Sequence, residues 1–221
     1  MIKSTNRDNK LAVVIMAAGK GTRMDSDTPK VLHKLNGKYL ISHVINTAKE
    51  LNPNKIIVIV GYKAEIVKNC IDSNDILFSY QIDQKGTGHA VMQAKDHLKD
   101  FNGQTLVLSG DVPMIKGSTL KLLIKKQEEN NFSACILTAD LLDPKGYGRV
   151  IRNRSNNLKE VKEHKDCNNN ELEIKEINSG IYVFNNKKLF ELLPKLNNNN
   201  AQSEYYLPDV LTMMVSNGKK I

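Results

Sequence analysis

Tryptophan is absent from this chain of 221 residues, and tyrosine and phenylalanine bring the aromatic share to only 5%. A basic protein that stacks on single-stranded nucleic acid needs aromatic platforms, so the net charge of +8 does not by itself point to that partner. The lysines are spread along the chain without a nucleic-acid-binding motif and read mostly as solvated helix faces. Cysteine is scarce as well. Cys70, Cys135 and Cys167 are far apart, odd in number and without a C-x-x-C pair, which argues against a disulfide framework. Cys70 and Cys135 sit among apolar residues and read as reduced core positions. No apolar run approaches membrane-spanning length, and the opening MIKSTNRDNK lacks the apolar segment of a secretory signal. A cytoplasmic protein with no membrane partner is expected. His89 and His164 are isolated rather than paired at metal-ligand spacing, and no Ser or Cys sits in a nucleophile elbow, so no covalent intermediate is expected.

What the chain does have is concentrated near its start. Leu11 to Met24 reads LAVVIMAAGKGTRM, an apolar, β-branched run that breaks into a glycine turn carrying Lys20 and Arg23. Val13, Val14 and Ile15 predict a strand buried on both faces. Ala17, Ala18, Gly19 and Gly21 leave room for a ligand against the backbone amides. Amides beside a lysine and an arginine suit a polyphosphate, and Lys30 adds a further cation within reach. A dinucleotide fingerprint would need a third glycine where Met24 stands, and an acid after the next strand, where Gly61 and Tyr62 follow Val60. The Walker A pattern is missing altogether. A nucleotide site of another type is expected.

Residues 1–10 are polar and read as a frayed tail, and 11–221 as one domain. Leu40, Ile41, Val44, Ile45 and Ala48 keep a helical stripe, as do Ile66, Val67, Cys70 and Ile71. Strands are expected at Lys55–Val60, Ile76–Gln81, Thr105–Leu108 and Ala134–Asp140, and helices near His89–Leu98 and Leu120–Glu129. This alternation predicts an α/β fold with a doubly wound, mostly parallel, Rossmann-like sheet. Later segments around Pro144–Arg152, Leu158–Asp166 and Glu176–Phe184 read as an added β region, before a closing helix striped by Leu207, Val210, Leu211, Met214 and Val215. In such sheets ligands bind beyond the carboxyl ends of the strands. The glycine loop, Gln81 to Ala90, and Ser109 to Pro113 all fall there.

Asp111 follows a buried strand and a glycine, so its carboxylate should emerge at that edge. In isolation it reads as a turn or cap aspartate; beside a phosphate loop it suits Mg²⁺, which takes one or two carboxylates and completes its shell with phosphate and water. Glu163, Asn178 and Gly148 offer a carboxylate, an amide and a close-packed backbone, the parts needed to grip sugar hydroxyls.

At this point the order of motifs becomes informative. LAVVIMAAGKGTRM with SDTPKVLHKLNGK, then GTGHAV, SGDVP, GYGR, EHKD, INSGIY and NNNAQSEYYLPDV, closely resembles the uridylyltransferase domain of the bifunctional bacterial N-acetylglucosamine-1-phosphate uridylyltransferase/glucosamine-1-phosphate acetyltransferase family. The resemblance runs from about Leu11 to the end, and its later motifs are more specific than the glycine loop. It implies Mg²⁺-dependent synthesis of UDP-N-acetylglucosamine and pyrophosphate from UTP and N-acetylglucosamine 1-phosphate. It implies that Met16, Ala17, Ala18, Gly19, Gly21, Thr22, Ser109 and Gly110 line the nucleotide, with Arg23 and Lys30 on the phosphates. Gln81, Gln84, Gly86 and Thr87 would hold the uridine, Asp111 the metal, and Gly148, Glu163, Asn178 and Tyr206 the sugar.

Family members carry a further metal-binding asparagine a little beyond Ile221, and a trimerising β-helix with the acetyltransferase activity. This chain is therefore expected to be a C-terminally truncated domain, monomeric or weakly oligomeric. Pro208 and Ser109 depart from the family pattern near the sugar. A transferase for another sugar or polyol phosphate, and a UTP-binding domain with little turnover, stay open as alternatives.

Overall fold

The computed structural model describes residues 10–21, 26–71 and 74–221; of the polar tail only Lys10 is included. The opening run forms β1 (Leu11–Ala17), and a hairpin of β2 (Lys34–Leu35) and β3 (Lys38–Tyr39) leads into α1 (Leu40–Lys49). Asn36 and Gly37 turn that hairpin with φ of 50° and 77°, the left-handed pair that a two-residue loop needs. Next come β4 (Lys55–Val60), α2 (Ala64–Asn69), β5 (Ile76–Tyr80), α3 (Thr87–Met92), α4 (Lys95–Leu98), β6 (Gln104–Ser109), α5 (Gly117–Glu129) and β7 (Ala134–Asp140). The second half adds β8 (Arg149–Arg152), β9 (Leu158–Lys162), α6 (Asn169–Leu172), β10 (Glu176–Asn185), α7 (Asn186–Leu192) and α8 (Asp209–Ser216).

Among the described residues, one sheet runs in the order β5-β4-β1-β6-β10-β8-β9, with β7 also on β10. β1 lies between β4 and β6, parallel to both, and β5 is parallel to β4. That central placement explains the unbroken apolar run of β1. Ala12 and Val14 enter one core with Ile57, Ile59 and Val107, whereas Val13, Ile15 and Ala17 enter another with Val58, Leu106 and Leu108. Full burial of each valine or isoleucine contributes about 1.5–3 kcal/mol, so the strand feeding the glycine loop is rigid support. Beyond β6 the pairing turns antiparallel, with β10 against β6, β7 and β8.

Asn186 locks the two halves together. Fully buried, it donates through Nδ2 to the carbonyls of Leu98 at 2.8 Å and Phe101 at 2.7 Å, and accepts at Oδ1 from the Thr105 hydroxyl at 2.8 Å.

Some sequence expectations are corrected. The helix over His89–Leu98 is two short helices, α3 and α4, separated at Gln93–Ala94. Tertiary donors take carbonyls at its far end, Lys55 Nζ that of His97 and Asn186 that of Leu98. Ile66 is 52% exposed, because α2 is only six residues long and buries Val67 alone. Cys135 is buried, but Cys70 is only half-buried.

Candidate functional site

A cavity of about 370 Å³ opens where β1, β5 and β6 end. Its walls are Met16, Ala17, Ala18, Gly19 and Gly21 from the first loop, Lys30 and Val31, Gln81, Gln84, Gly86, Thr87 and Ala90, then Ser109, Asp111 and Glu204. Small residues at one wall expose backbone rather than side chain, as the sequence of the loop requires. Lys20 projects away, its ammonium 5.6 Å from the centre of the Tyr62 ring.

The glutamine wall is held tightly. The Gln81 amide N–H donates to Val60 O at 2.8 Å, its carbonyl accepts from Gln84 Nε2 at 2.9 Å, and its side-chain nitrogen lies 3.0 Å from Gly86 O. Gly61 and Gly86 make this packing possible. A Cβ on Gly61 would stand 2.6 Å from Gln81 O, and one on Gly86, whose φ is +100°, would stand 2.7 Å from Tyr205 O. On the facing wall Asp111 Oδ2 is in contact with Lys30 Nζ. Carboxylate and ammonium thus meet at the mouth of the glycine loop.

The four residues expected to hold a sugar do not line this cavity; they form a neighbouring group. Asn178 N donates to Gly148 O at 2.9 Å, and a Cβ on Gly148 would stand 3.3 Å from Glu163 Oε1. Asn178 Oδ1 accepts from Gly180 N and from the Tyr182 hydroxyl, each at 2.9 Å, which leaves its NH₂ as the group to offer a ligand oxygen. The Tyr206 hydroxyl accepts from Gln202 Nε2 at 2.9 Å. Burial pushes the Tyr206 phenol up to about 12, helped by the fields of Asp166 and Glu163. One segment joins the two groups: Glu204 faces the cavity, Tyr205 O accepts from Gly88 N at 2.8 Å, and Tyr206 stands in the field of Glu163.

The support of this segment is pH-sensitive. At the start of α8, burial first, then the fields of Asp166 and Glu160, push the Asp209 carboxyl up to about 6. A folded-state value above the ordinary carboxylate range means folding favours the protonated form. That stabilisation is present at low pH and lost as pH rises through about 6. Accordingly, the urea midpoint of the wild type should fall between pH 5 and pH 7 relative to Asp209→Asn, which titrates nothing there. Parallel midpoints for the two proteins would contradict the assignment.

The family profile for nucleotidyl transferases matches residues 12–221. The chain belongs to that family. It is 48% identical over 208 residues to the bifunctional protein GlmU of Streptococcus thermophilus and 47% identical to that of Streptococcus agalactiae, matching 94% of its own length and 45% of theirs. It thus spans less than half the length of these relatives. A crystal structure of UDP-glucose pyrophosphorylase complexed with UDP-glucose has the same fold, with a TM-score of 0.77 at 18% identity over 95% of this chain and 88% of that one.

In this nucleotidyl transferase, Thr22 and Arg23 lie outside the described residues. Gly110 does not line the cavity. It is buried behind the wall, its N–H donating to Met16 O at 2.9 Å, and a Cβ there would meet Met16 O and Val31. Its role is to let β6 pass close to β1. Val31, Ala90 and Glu204 were missed. The first two carry no chemical signal, and Glu204 sits in an aperiodic stretch where a carboxylate near phosphates is unexpected; burial pushes its carboxyl up.

Proposed function

We propose that this nucleotidyl transferase joins UTP to N-acetylglucosamine 1-phosphate and releases pyrophosphate. The observation that carries the reading is the junction of two sites through residues 204–206. A cavity with backbone, ammonium and amide walls suits a nucleoside triphosphate, and the Gly148–Glu163–Asn178 group beside it suits sugar hydroxyls. The likeness to GlmU supports the choice of substrates.

In this reaction an oxygen of the sugar phosphate attacks the α-phosphorus of UTP, the bond to the bridging oxygen breaks, and pyrophosphate departs with the electron pair. Catalysis then consists of positioning and charge neutralisation. The glycine-loop amides hold the phosphates against β1, and Gln81 and Gln84 orient the base. Lys30 neutralises charge that builds on the phosphate oxygens, and Arg23 is proposed for the same task. Asp111 would hold Mg²⁺. Its single carboxylate, beside phosphate oxygens, fits that ion, and among the described residues no His/Cys/Asp/Glu cluster suits a metal held by protein alone. When bound, Mg²⁺ supplies further neutralisation of the triphosphate.

Lys30→Ala is expected to lower kcat about a hundredfold, the effect of one preorganised electrostatic contact; steady-state kinetics with an unchanged far-UV spectrum checks this. The reading itself is tested by pyrophosphate release from UTP and Mg²⁺ with N-acetylglucosamine 1-phosphate, with glucose 1-phosphate, or with neither. Release confined to the acetylated sugar is the expected result. Equal release with glucose 1-phosphate would overturn the sugar assignment, and UTP binding without release under any condition would overturn the catalytic one.

A further inference from the structure

His89 stands between two glutamines. Its Nδ1 lies 3.1 Å from Gln81 Nε2, and its Nε2 lies 3.2 Å from Gln93 Nε2. A neutral imidazole accepts at one nitrogen and donates at the other, so only one of these contacts can be a hydrogen bond from glutamine to histidine. Neighbouring carbonyls decide which.

The Gln81 side-chain atom 3.0 Å from Gly86 O must be its nitrogen, since a second oxygen there would place two acceptors in contact. Gln81 is only 3% exposed, so its remaining N–H has no water to turn to and needs His89 Nδ1 as acceptor. Gln93 is half-buried and already donates to the His89 carbonyl at 2.9 Å, so its other N–H can face solvent. The ring proton therefore belongs on Nε2. Both hydrogens of the Gln81 amide are then engaged. Among the described residues no donor reaches its oxygen, and the residue lies on the cavity wall.

We infer that His89 is a positioning residue that, together with Gly86 O, fixes which end of the Gln81 amide faces the base, and so strengthens a preference for a base with an imide N–H. The inference rests on the reading above, in which this cavity takes a pyrimidine nucleotide. An acceptor fixed at that place meets the N3–H of uracil favourably and the bare N3 of cytosine unfavourably. If Nδ1 is lost, Gly86 O alone holds the amide and one buried N–H is stranded, so turning the amide to present N–H groups to cytosine N3 costs less by one hydrogen bond. The packing of Tyr205, whose ring centre lies 6.3 Å from that of His89, is a separate structural contribution that does not distinguish the two bases.

The test compares UTP and CTP binding by calorimetry in the full chain and two variants. In His89→Asn the side-chain oxygen can replace Nδ1 as acceptor; in His89→Leu no acceptor remains. The UTP-over-CTP affinity ratio is expected to fall about tenfold or more in His89→Leu and to stay within about threefold of wild type in His89→Asn, as expected for one buried hydrogen-bond acceptor. An unchanged ratio in His89→Leu, with wild type still preferring UTP, overturns the inference and leaves the nucleotide reading intact. A wild type that binds both nucleotides equally, or neither, overturns the nucleotide reading as well. The ¹⁵N shifts of the His89 ring in the wild type give a check that needs no variant: an unprotonated Nδ1 is expected, and a protonated one overturns the inference.

Discussion

Asp111→Asn leaves the protein folded and lowers Mg²⁺-supported turnover about a thousandfold, a loss of about 4 kcal/mol of transition-state stabilisation. The substitution is nearly isosteric, at a half-buried position just past the end of β6, so core packing is untouched. It removes the negative charge in contact with Lys30 and the hard oxygen pair proposed for the metal. If the carboxylate served only to cap a turn, kcat would change little, and the urea midpoint would record the loss. Pyrophosphate release measured across a Mg²⁺ titration separates the two. A variant that regains wild-type kcat at high Mg²⁺ has lost affinity alone, whereas near-normal kcat throughout would remove Asp111 from the chemistry.

Arg149→Met is expected to cost about 3–5 kcal/mol of stability, from the carbonyls it strands in the interior. The guanidinium is 2% exposed and donates to the carbonyls of Pro144 at 2.7 Å, Tyr147, and Leu172 at 3.3 Å. It ties the loop before β8 to the end of α6, and Gly148 is the residue next to it. At about 2–4 °C per kcal/mol for a chain of this size, the melting temperature should drop by about 10 °C. The KM for the sugar phosphate should rise more than that for UTP, because the nucleotide wall lies elsewhere. Arg149→Lys should fall between, since one ammonium cannot span three carbonyls. A fully stable methionine variant would show that the loop holds its shape without the guanidinium.

The parts of this molecule legible from sequence are those where one periodicity or one chemistry dominates. β1 and β4 are buried on both faces and read as unbroken apolar runs. The α1 stripe of Ile41, Val44, Ile45 and Ala48 is buried as its spacing demands. On the cavity wall, Ala17, Ala18, Gly19, Gly21, Lys30 and Asp111 are legible from small residues and charges at strand ends, whereas Met16, Gln81, Gln84, Gly86, Thr87 and Ser109 are reached only through the family resemblance. Legibility stopped where tertiary contacts overrode local preference. Gln93-Ala94-Lys95 contains no helix breaker, yet the helix divides there while Lys55 and Asn186 draw on its final carbonyls. Nothing local to Ala134–Asp140 announces that β7 runs antiparallel to β10. A glycine at a strand end serves a ligand or close packing equally well, and at Gly110 it serves packing.

The crowding around two glycines bears on how this site could escape an inhibitor. A competitive ligand resting on the wall supported by Gly61 and Gly86 meets backbone, and any side chain added at either glycine collides with backbone atoms at 2.6 or 2.7 Å before it can reach the ligand. Changes at Lys30 or Gln81 would weaken the natural substrate too. Gly19 is the exception to the crowding, for a Cβ there has nothing within 4 Å. A side chain at Gly19 would fit the protein but stand where the loop amides are proposed to hold the phosphates, so escape there would also weaken the natural substrate.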